Sequence, residues 1–381
     1  IHGVSNIFNA YANTTDGSAA NTEAKASIIL TNNGEGNVVG IEGTNSASKI
    51  NNALTYMNSA VSKAISEGEI KLSGNGNVYG ISAKGSVVNS ETQFSKSYNI
   101  KEEFRSTGTI EVTSEQTNGK AYGIYVTGAN IAADIYNALG YKSTGIITAN
   151  NNGAGSAYGI WNGIATYIGE DGQTYYNNTY NAFRSSAKYG DDDATAKGIV
   201  NVNIDGEGLG TQEAIGIYAA GDAFNAYGNS GSDTKLEIIG NININDKSTN
   251  SDITLKGLEG GGATVANAYS TGQNLNTATS VIGNINITAS NRKNGGTAAG
   301  IYSTDAVVQT AKIINAGLVN DKSTVEGNIL VQSTGSRPLS AMYGIYATNY
   351  SAGAGSSDTA QPKDIYNAYY NNPDGFSEGK V

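Results

Sequence analysis

Short runs in which apolar and polar residues alternate recur along the whole chain, and the clearest of them begin with a glycine. Three of the clearest are Gly68–Leu72 (Gly-Glu-Ile-Lys-Leu), Gly240–Ile244 (Gly-Asn-Ile-Asn-Ile) and Gly283–Ile287, which has the same five letters as the second. Successive side chains of a β-strand point to opposite faces, so a period of two places the aliphatic residues on one face. The pattern therefore predicts strands that are buried on one side.

Two further phrases precede these runs in a fixed order. The first is a glycine followed by an aliphatic residue, and its glycines are Gly3, Gly40, Gly80, Gly123, Gly159, Gly216, Gly257, Gly300 and Gly344. The second contains an asparagine, and its asparagines are Asn9, Asn52, Asn99, Asn137, Asn181, Asn225, Asn267, Asn315 and Asn367. We interpret residues 1–381 as one repetitive domain of about nine units of roughly 43 residues, a period typical of solenoids. The distance from first to second phrase varies most, which predicts inserted loops on one side.

Stacking equivalent phrases in register gives parallel strands with rows of aliphatic side chains down the interior. The fixed order and the spacing of the phrases argue against hairpins. The aliphatic residue after each first-phrase glycine is expected to face inward, together with the residue before the glycine, which is often tyrosine. The sequence thus predicts an all-β parallel β-helix, with either one or two coils per unit.

The second phrase leaves two interpretations open. Asparagine at a bend can bond neighbouring backbone, and stacked asparagines can bond each other as a ladder, so a structural asparagine row is expected. Apolar residues at helical spacing nevertheless mark residues 46–66, 130–139 (followed by Gly140) and 304–318. We therefore expect strands in most coils and a few short helices in the insertions; a mixed solenoid with one helix per unit is the alternative.

These repeats resemble a known class of surface protein. The phrase Ala-Tyr-Gly-Ile-Tyr (121–125), followed in each unit by Gly-x-Ile runs, is similar to the passenger regions of bacterial autotransporters and related large repetitive adhesins. The resemblance covers nearly the whole chain and implies a right-handed parallel β-helix at the bacterial cell surface. It does not imply one activity, because such passengers include adhesins, proteases, esterases and inert stalks.

Composition removes several classes of chemistry. The net charge is −10 with 23 Lys and Arg, so no basic patch is expected and nucleic-acid binding is excluded. Cysteine is absent and His2 is the only histidine, which leaves no disulfide, thiol nucleophile or histidine-based centre. No apolar run is long enough to span a membrane, so membrane insertion is not expected. We predict no cofactor, no metal and no catalytic residue.

One set of residues could contact a partner. The position two after the first-phrase glycine carries Tyr125, Trp161, Tyr218, Tyr302 and Tyr346, and elsewhere Ser5, Glu42, Ser82 and Glu259. Adjacent coils lie about 4.8 Å apart, so these aromatics could form an outward stripe that binds a glycan or a protein. Burial of the stripe beneath inserted loops is the alternative.

Three other features were weighed as sites. The acidic run Asp191–Asp193 and the segment 201–206 (Asn-x-Asn-x-Asp-Gly) could in principle bind Ca²⁺, but the first is expected to be solvated and the second to be strand. His2 is placed in the tyrosine position of the repeat and interpreted as a wall residue. The four arginines lie in different units without recurring acidic partners, which argues against a polysaccharide-cleaving enzyme.

The sequence favours a non-catalytic, extracellular β-solenoid that forms a surface fibre or stalk. Its expected partner is itself, end to end or side by side, or further repeats, because both ends interrupt a repeat and suggest a segment of a longer or polymerising chain. The alternative is an adhesin module that binds surface glycans or proteins through the aromatic stripe. A polysaccharide-acting enzyme is the third hypothesis.

Overall fold

A computed structural model of the chain describes residues 1–14, 21–57, 63–94, 103–116, 118–185, 194–206, 212–229, 236–248, 252–271, 279–292, 295–303, 312–319, 323–336, 338–347, 364–370 and 376–381. Strands in this part of the chain form three parallel sheets of nine strands each. Each repeat contributes one strand to each sheet. One unit is therefore one three-stranded coil, which decides between the two possibilities left open by the sequence.

The first sheet contains the first phrases. Its strands are His2–Gly3, Val38–Gly43, Val78–Ala83, Ala121–Val126, Ala157–Asn162, Gln212–Ala219, Ile253–Gly260, Gly296–Ser303 and Ala341–Ala347. The second sheet contains Ile7–Thr14, Ile50–Met57, Val87–Phe94, Ile135–Gly140, Asn178–Ser185, Asp222–Asn229, Thr264–Thr271, Lys312–Val319 and Asp364–Tyr370.

The third sheet contains the alternating runs. Its strands are Thr22–Asn32, Lys63–Gly74, Glu103–Ser114, Ser143–Asn151, Ala194–Ile204, Leu236–Asp246, Thr279–Arg292, Thr324–Gly335 and Phe376–Lys380. A separate antiparallel pair, Thr166–Ile168 with Thr174–Tyr176, lies in the connection between the first and second sheets of the fifth coil. The predicted parallel β-helix is confirmed.

Equivalent aliphatic residues stack in register, as the repeats predict. Ile124 pairs with Ile81 on one side and with Ile160 on the other in the first sheet, and Ile242 pairs with Ile285 in the third. All five are fully buried in one continuous apolar core. Each such side chain contributes about 1.5–3 kcal/mol on leaving water, but only if a neighbouring coil covers it.

The predicted helices are wrong. No helix occurs among the residues that the structure describes, and the strands Ile50–Met57, Ile135–Gly140 and Lys312–Val319 occupy the segments that carried helical spacing; residues 58–62 and 304–311 are outside that part. Ile135 and Ala138 are both fully buried although they are three residues apart. The strand is irregular at the asparagine between them, and this irregularity imitates the spacing of a helix.

The first coil is displaced from its predicted register. His2 pairs with Glu42 and Gly3 with Gly43, so Ile1, and not Val4, stands opposite Ile41. His2 Nδ1 lies 2.7 Å from Glu42 Oε2, and the terminal amino group donates to the carbonyl of Gly40 at 2.7 Å. His2 is therefore not in the tyrosine position of the repeat. A glycine next to an aliphatic residue matches the phrase at more than one offset, and backbone pairing selected the other one.

Candidate functional site

The asparagines of the second sheet form an unbroken ladder through all nine coils. Each Nδ2 donates to the Oδ1 of the asparagine in the next coil, at 2.8–3.0 Å. The members are Asn9, Asn52, Asn89, Asn137, Asn181, Asn225, Asn267, Asn315 and Asn367. From Asn52 to Asn315 the side chains are fully buried. The predicted structural ladder exists, and its burial leaves no room for a ligand.

One member of the ladder differs from the prediction. In the third coil the amide belongs to Asn89, in the strand Val87–Phe94, and not to Asn99, which lies outside the described residues. Asn99 was chosen because an aromatic residue precedes it, as in other copies of the phrase. The preceding residue faces away from the ladder, so it does not define the position. The buried amide does.

Glycines of the third sheet face this ladder. From the second coil onward, each asparagine Nδ2 also donates to the carbonyl of the glycine that opens the alternating run, at 2.9–3.1 Å. A Cβ on any of these glycines would lie 1.9–2.2 Å from the asparagine carbonyl oxygen. The second and third sheets therefore meet at a line where only glycine fits.

The five predicted stripe aromatics lie on the outer face of the first sheet and are half-buried. Trp161 stacks on Tyr218 with ring centres 4.0 Å apart, and Tyr302 stacks on Tyr346 at 5.0 Å. Tyr125 packs at 4.7 Å against Tyr122 rather than against Trp161. The stripe is therefore real but discontinuous.

A second aromatic row, for which simple alternation predicts an inward orientation, lies beside the stripe on the outer face. Tyr79, Tyr122 and Tyr158 stack at 5.1 and 4.8 Å with ring planes within 9° of parallel. They cluster with the stripe aromatics and not with the aliphatic core, so their predicted inward orientation is wrong. We call the two rows together the aromatic column.

The glycine of the first phrase explains this orientation. A Cβ on Gly123 would lie 2.2 Å from Cγ2 of Ile147, which belongs to the buried core. Gly123 and Ile124 therefore both face inward, the strict alternation of the strand is broken, and Tyr122 and Tyr125 share the outer face. Burial raises the pKa of the Tyr122 and Tyr158 hydroxyls well above their usual range, so both remain neutral.

Stacking limits what the column can bind. The rings stack along the solenoid axis, so the face of each ring is largely covered by the ring in the next coil. Sugars and aromatic ligands use exposed ring faces for stacking. Along most of its length the column thus presents ring edges and hydroxyl groups outward.

A comparable aromatic cluster on the second sheet was not predicted as a unit. Tyr136, Tyr180 and Phe224 stack at 5.1 and 5.0 Å, and beside them Phe183 and Tyr227 stack at 5.3 Å. These residues stand one before and two after each ladder asparagine. They share the outer face because the strand is irregular at the asparagine, where the asparagine and the residue after it are both buried.

The inner row of the aromatic column has no aromatic residue in the sixth, seventh and eighth coils, where Ile215, Lys256 and Ala299 occupy its position. Lys256 and Glu259 replace the aromatics of the seventh coil and form an ion pair at 2.9 Å, with Lys256 Nζ also 4.2 Å from the centre of the Tyr302 ring. Burial raises the pKa of the Glu259 carboxyl, although Lys256 opposes this shift. In the eighth coil the inner row holds Ala299, whose side chain is too small to continue the stack.

A groove of about 320 Å³ opens at this interruption. Among the described residues its walls are formed by Glu213, Thr254, Leu255, Lys256, Thr297, Ala298, Ala299, Tyr302, Tyr343 and Tyr346. The Tyr158 hydroxyl donates to Glu213 Oε2 at 2.8 Å, which places this carboxylate at the edge of the groove. Three tyrosine rings, two threonine hydroxyl groups and a carboxylate thus line this groove in the column.

Asparagines that are half-buried or exposed form further ladders on the outer face of the third sheet. Asn243 Nδ2 donates to Asn201 at 3.0 Å, Asn286 donates to Asn243 at 3.1 Å, and Asn245 donates to Asn203 at 3.0 Å. Asn201 and Asn203 belonged to the possible Ca²⁺ segment, and their place in the strand Ala194–Ile204 confirms that its alternation is that of a strand.

Carboxylates also link coils where the second sheet begins. Asp134 Oδ1 accepts from the backbone N–H of Asn178 at 2.8 Å, and Asp222 Oδ1 accepts from that of Thr264 at 3.0 Å. Burial raises the pKa of Asp222 to about 6. The two carboxyl groups act as backbone acceptors between successive coils.

The remaining candidates give no centre. Asp191–Asp193 lie outside the described residues. Within the described part of the chain, no three His, Cys, Asp or Glu side chains are grouped so that they could hold a metal ion. The same part contains no helix that is long and apolar enough to cross a membrane.

No family model matches the chain, and neither a curated protein nor a solved structure shows significant similarity.

Proposed function

We propose that the chain is a non-catalytic structural element of the bacterial cell surface, a stiff fibre or stalk built from stacked coils. The asparagine ladder carries this proposal. It runs through nine coils without a gap, is buried along most of its length, and ties the second sheet to the third in each coil from the second onward.

Mechanical stiffness follows from this arrangement. Bending the solenoid would lengthen the hydrogen bonds between asparagine side chains, which are 2.8–3.0 Å long, on one side of the bend. The buried amides have no water to replace a lost partner. The backbone hydrogen bonds between parallel strands in all three sheets resist stretching along the axis in the same way. Such a body transmits force and holds distance, which are the tasks of a stalk.

The alternative is an adhesin that binds glycans along the whole stripe. The stacking of Trp161 on Tyr218 and of Tyr302 on Tyr346 weakens this proposal, since those ring faces are used within the protein. The proposal retains support at the groove beside Ala299, where the column is open.

The test is antibody labelling of intact source cells with an antibody raised against the folded chain. Gold-labelled electron microscopy is expected to show the antigen on the outer surface, and protease treatment of intact cells is expected to remove it. An antibody against a cytoplasmic protein is the control, and its antigen should survive the protease. Antigen that stays protected until the cells are lysed would refute the surface role.

Mechanical measurement tests the second half of the proposal. In single-molecule pulling between the chain ends, wild type should resist force until whole coils detach, whereas Asn181→Ala should yield first at the coils it joins. Equal unfolding forces for both proteins would contradict a stiffening role for the ladder. Hydrolysis of a polysaccharide by the purified chain would contradict the non-catalytic assignment.

A further inference from the structure

The inner row of the aromatic column has no aromatic ring in three successive coils, and at the last of these, Ala299, the side chain is also small. Backbone pairing aligns Tyr122, Tyr158, Ile215, Lys256, Ala299 and Tyr343 in successive coils. Ala299 therefore stands between Lys256 and Tyr343, two coil spacings apart, which is about 9.6 Å. A ring placed midway would lie about 4.8 Å from each neighbouring strand, and this is also the separation of the stacked Tyr122 and Tyr158 rings.

The walls of this gap offer both a stacking surface and polar groups. Tyr343 packs against Tyr346 at 4.9 Å with the ring planes at 53°, so the two rings form an angled wall. Tyr302 stands beside Ala299 in the same coil. Thr254, Thr297 and Glu213 form the rim, because they occupy one row at the start of their strands.

The charges of the groove select among possible ligands. Both Glu259 carboxylate oxygens accept from Lys256 Nζ, at 2.9 and 3.0 Å, so this pair is neutral as a unit. The Glu213 carboxylate accepts one bond from Tyr158 and adds a negative charge. An anionic ligand is disfavoured, and a ligand with several hydroxyl donors is favoured.

We propose that the gap at Ala299 binds one neutral hexopyranose residue of a glycan, with the sugar ring in the missing position of the column. The apolar face of the ring packs on Tyr343, and its hydroxyl groups bond Thr254 and Thr297 in the seventh and eighth coils. This site goes beyond the stalk function and is independent of it, since a stalk with or without the site has the same ladder.

A flat aromatic ligand is the competing occupant, and the rim argues against it. Two threonine hydroxyls and a carboxylate would lose water to a hydrocarbon edge without gaining hydrogen bonds, which is unfavourable. A pyranose brings hydroxyl groups to the same positions. The two occupants are separated by the experiment.

The experiment is saturation-transfer NMR on the full chain with methyl β-D-glucopyranoside, methyl β-D-galactopyranoside and methyl N-acetyl-β-D-glucosaminide. Each is present at about 5 mM, since one ring in an open groove is expected to bind in the millimolar range. Methyl β-D-glucuronide and phenol are the anionic and aromatic competitors. At least one neutral glycoside should receive saturation, more strongly than either competitor.

The variant Ala299→Tyr fills the gap with the side chain that the column lacks. It should fold with an unchanged or higher Tm, because its ring can stack on Tyr343, and it should weaken sugar binding at least about tenfold. Ala299→Ser is the matched control, as it keeps the space and should keep binding. Tyr343→Ala should weaken binding, whereas Tyr175→Ala, an exposed tyrosine of the hairpin, should not.

Three results would overturn the proposal. They are no saturation of any neutral glycoside by wild type, equal binding by wild type and Ala299→Tyr, or saturation of phenol or the glucuronide in preference to the neutral sugars. Surface labelling of cells tests the stalk separately, so a failure here leaves that proposal standing.

Discussion

The asparagine ladder and each row of the aromatic column place one side chain in every coil, yet only the ladder has no gaps. The ladder keeps its asparagine in all nine coils, from Asn9 to Asn367. The column changes chemistry at Ile215, Lys256 and Ala299. Both rows stack at the same coil spacing, so geometry does not explain the difference.

The difference lies in access to water. A buried amide whose partner is lost keeps an unsatisfied donor or acceptor, which costs about 1–3 kcal/mol for each group. A missing ring on the outer face opens a groove that water can enter, and the polar rim is satisfied there. A buried polar row must therefore be complete, whereas an outer apolar row tolerates substitution and can acquire a site.

The first coil provides a natural variation on the buried row. Ala26 pairs with Gly68 and stands where every later coil has glycine. Among the described contacts, the amide of Asn9 donates to Asn52 Oδ1 and to the carbonyl of Glu69, not to that of Ala26. In the first coil, where alanine replaces glycine, the described hydrogen bonds of the asparagine amide thus do not include one to this backbone carbonyl.

The largest effect is expected from Gly198→Ala, which breaks the line where the second and third sheets meet. The new Cβ would lie 2.1 Å from the carbonyl oxygen of Asn181. The free energy of unfolding should fall by more than about 4 kcal/mol, or the chain should fail to fold. Urea denaturation followed by circular dichroism measures this. Gly163→Ala is the control, because its new Cβ would lie 3.4 Å from the nearest atom. A similar loss of stability in both variants would contradict the role of the close approach at Gly198.

The next effect is expected from Asn181→Ala, in the middle of the ladder. It removes bonds to Asn137, Asn225 and Gly198 and leaves their polar groups buried. We expect a loss of about 3 kcal/mol in the free energy of unfolding. Asn243→Ala makes the same change in the half-buried ladder on the outer face of the third sheet, where water can replace the lost partners, and should cost less than about 1 kcal/mol. Equal losses from the two variants would show that burial does not distinguish them.

A smaller effect, of opposite sign, is expected from Asp222→Asn. Burial raises the pKa of Asp222 from 3.8 to about 6, so the folded chain is penalised for ionising it, and stability from this group is lost as pH rises through 6. The asparagine keeps the acceptor for Thr264 without the charge. At pH 7.5 the free energy of unfolding of the variant should exceed that of wild type by about 2 kcal/mol, which also raises its Tm. At pH 3.5 the two proteins should be equally stable. A gain that is the same at both pH values would be inconsistent with ionisation as the cause.

The smallest effect is expected from Tyr122→Leu, within the column. The leucine keeps an apolar side chain but loses the stacking on Tyr79 and Tyr158, and a loss of about 1 kcal/mol in the free energy of unfolding is expected. Thermal unfolding measures it, with Tyr175→Leu in the exposed hairpin as control. A loss as large as that of Asn181→Ala would remove the distinction between the ladder and the column.

The fold was predictable because its signals are local and repeated. The alternation in Gly240–Ile244 needs only the period of a strand, and its recurrence needs only a neighbour of the same kind. The ladder was predictable for a similar reason, since an asparagine that recurs once per coil must stack on its equivalents. Asn99 was the wrong choice in one coil because the surrounding letters matched better than those of Asn89, although they are not what the position requires.

The aromatic column was less predictable. Tyr125 and Trp161 were recognised as outward residues, but Tyr122 was placed inside by simple alternation. The sequence does not show how closely the third sheet approaches Gly123. Because of this close approach, the glycine faces inward and Tyr122 faces outward. The groove at Ala299 depends on the same orientation, so it could not be derived from the letters.

The sequence by itself determined the number of repeats, the order of the strands and the rows that must stack, because each depends on a period along one chain, whereas the structure decided that each repeat is one coil. Only the tertiary structure decided whether each row lies on the inner or the outer face of its sheet where the strand departs from regular alternation. It also decided where a small side chain leaves a space. Those outcomes depend on distances between sheets, such as the 2.2 Å that a Cβ on Gly123 would leave to Ile147. Such distances arise from packing between residues that are far apart in the chain.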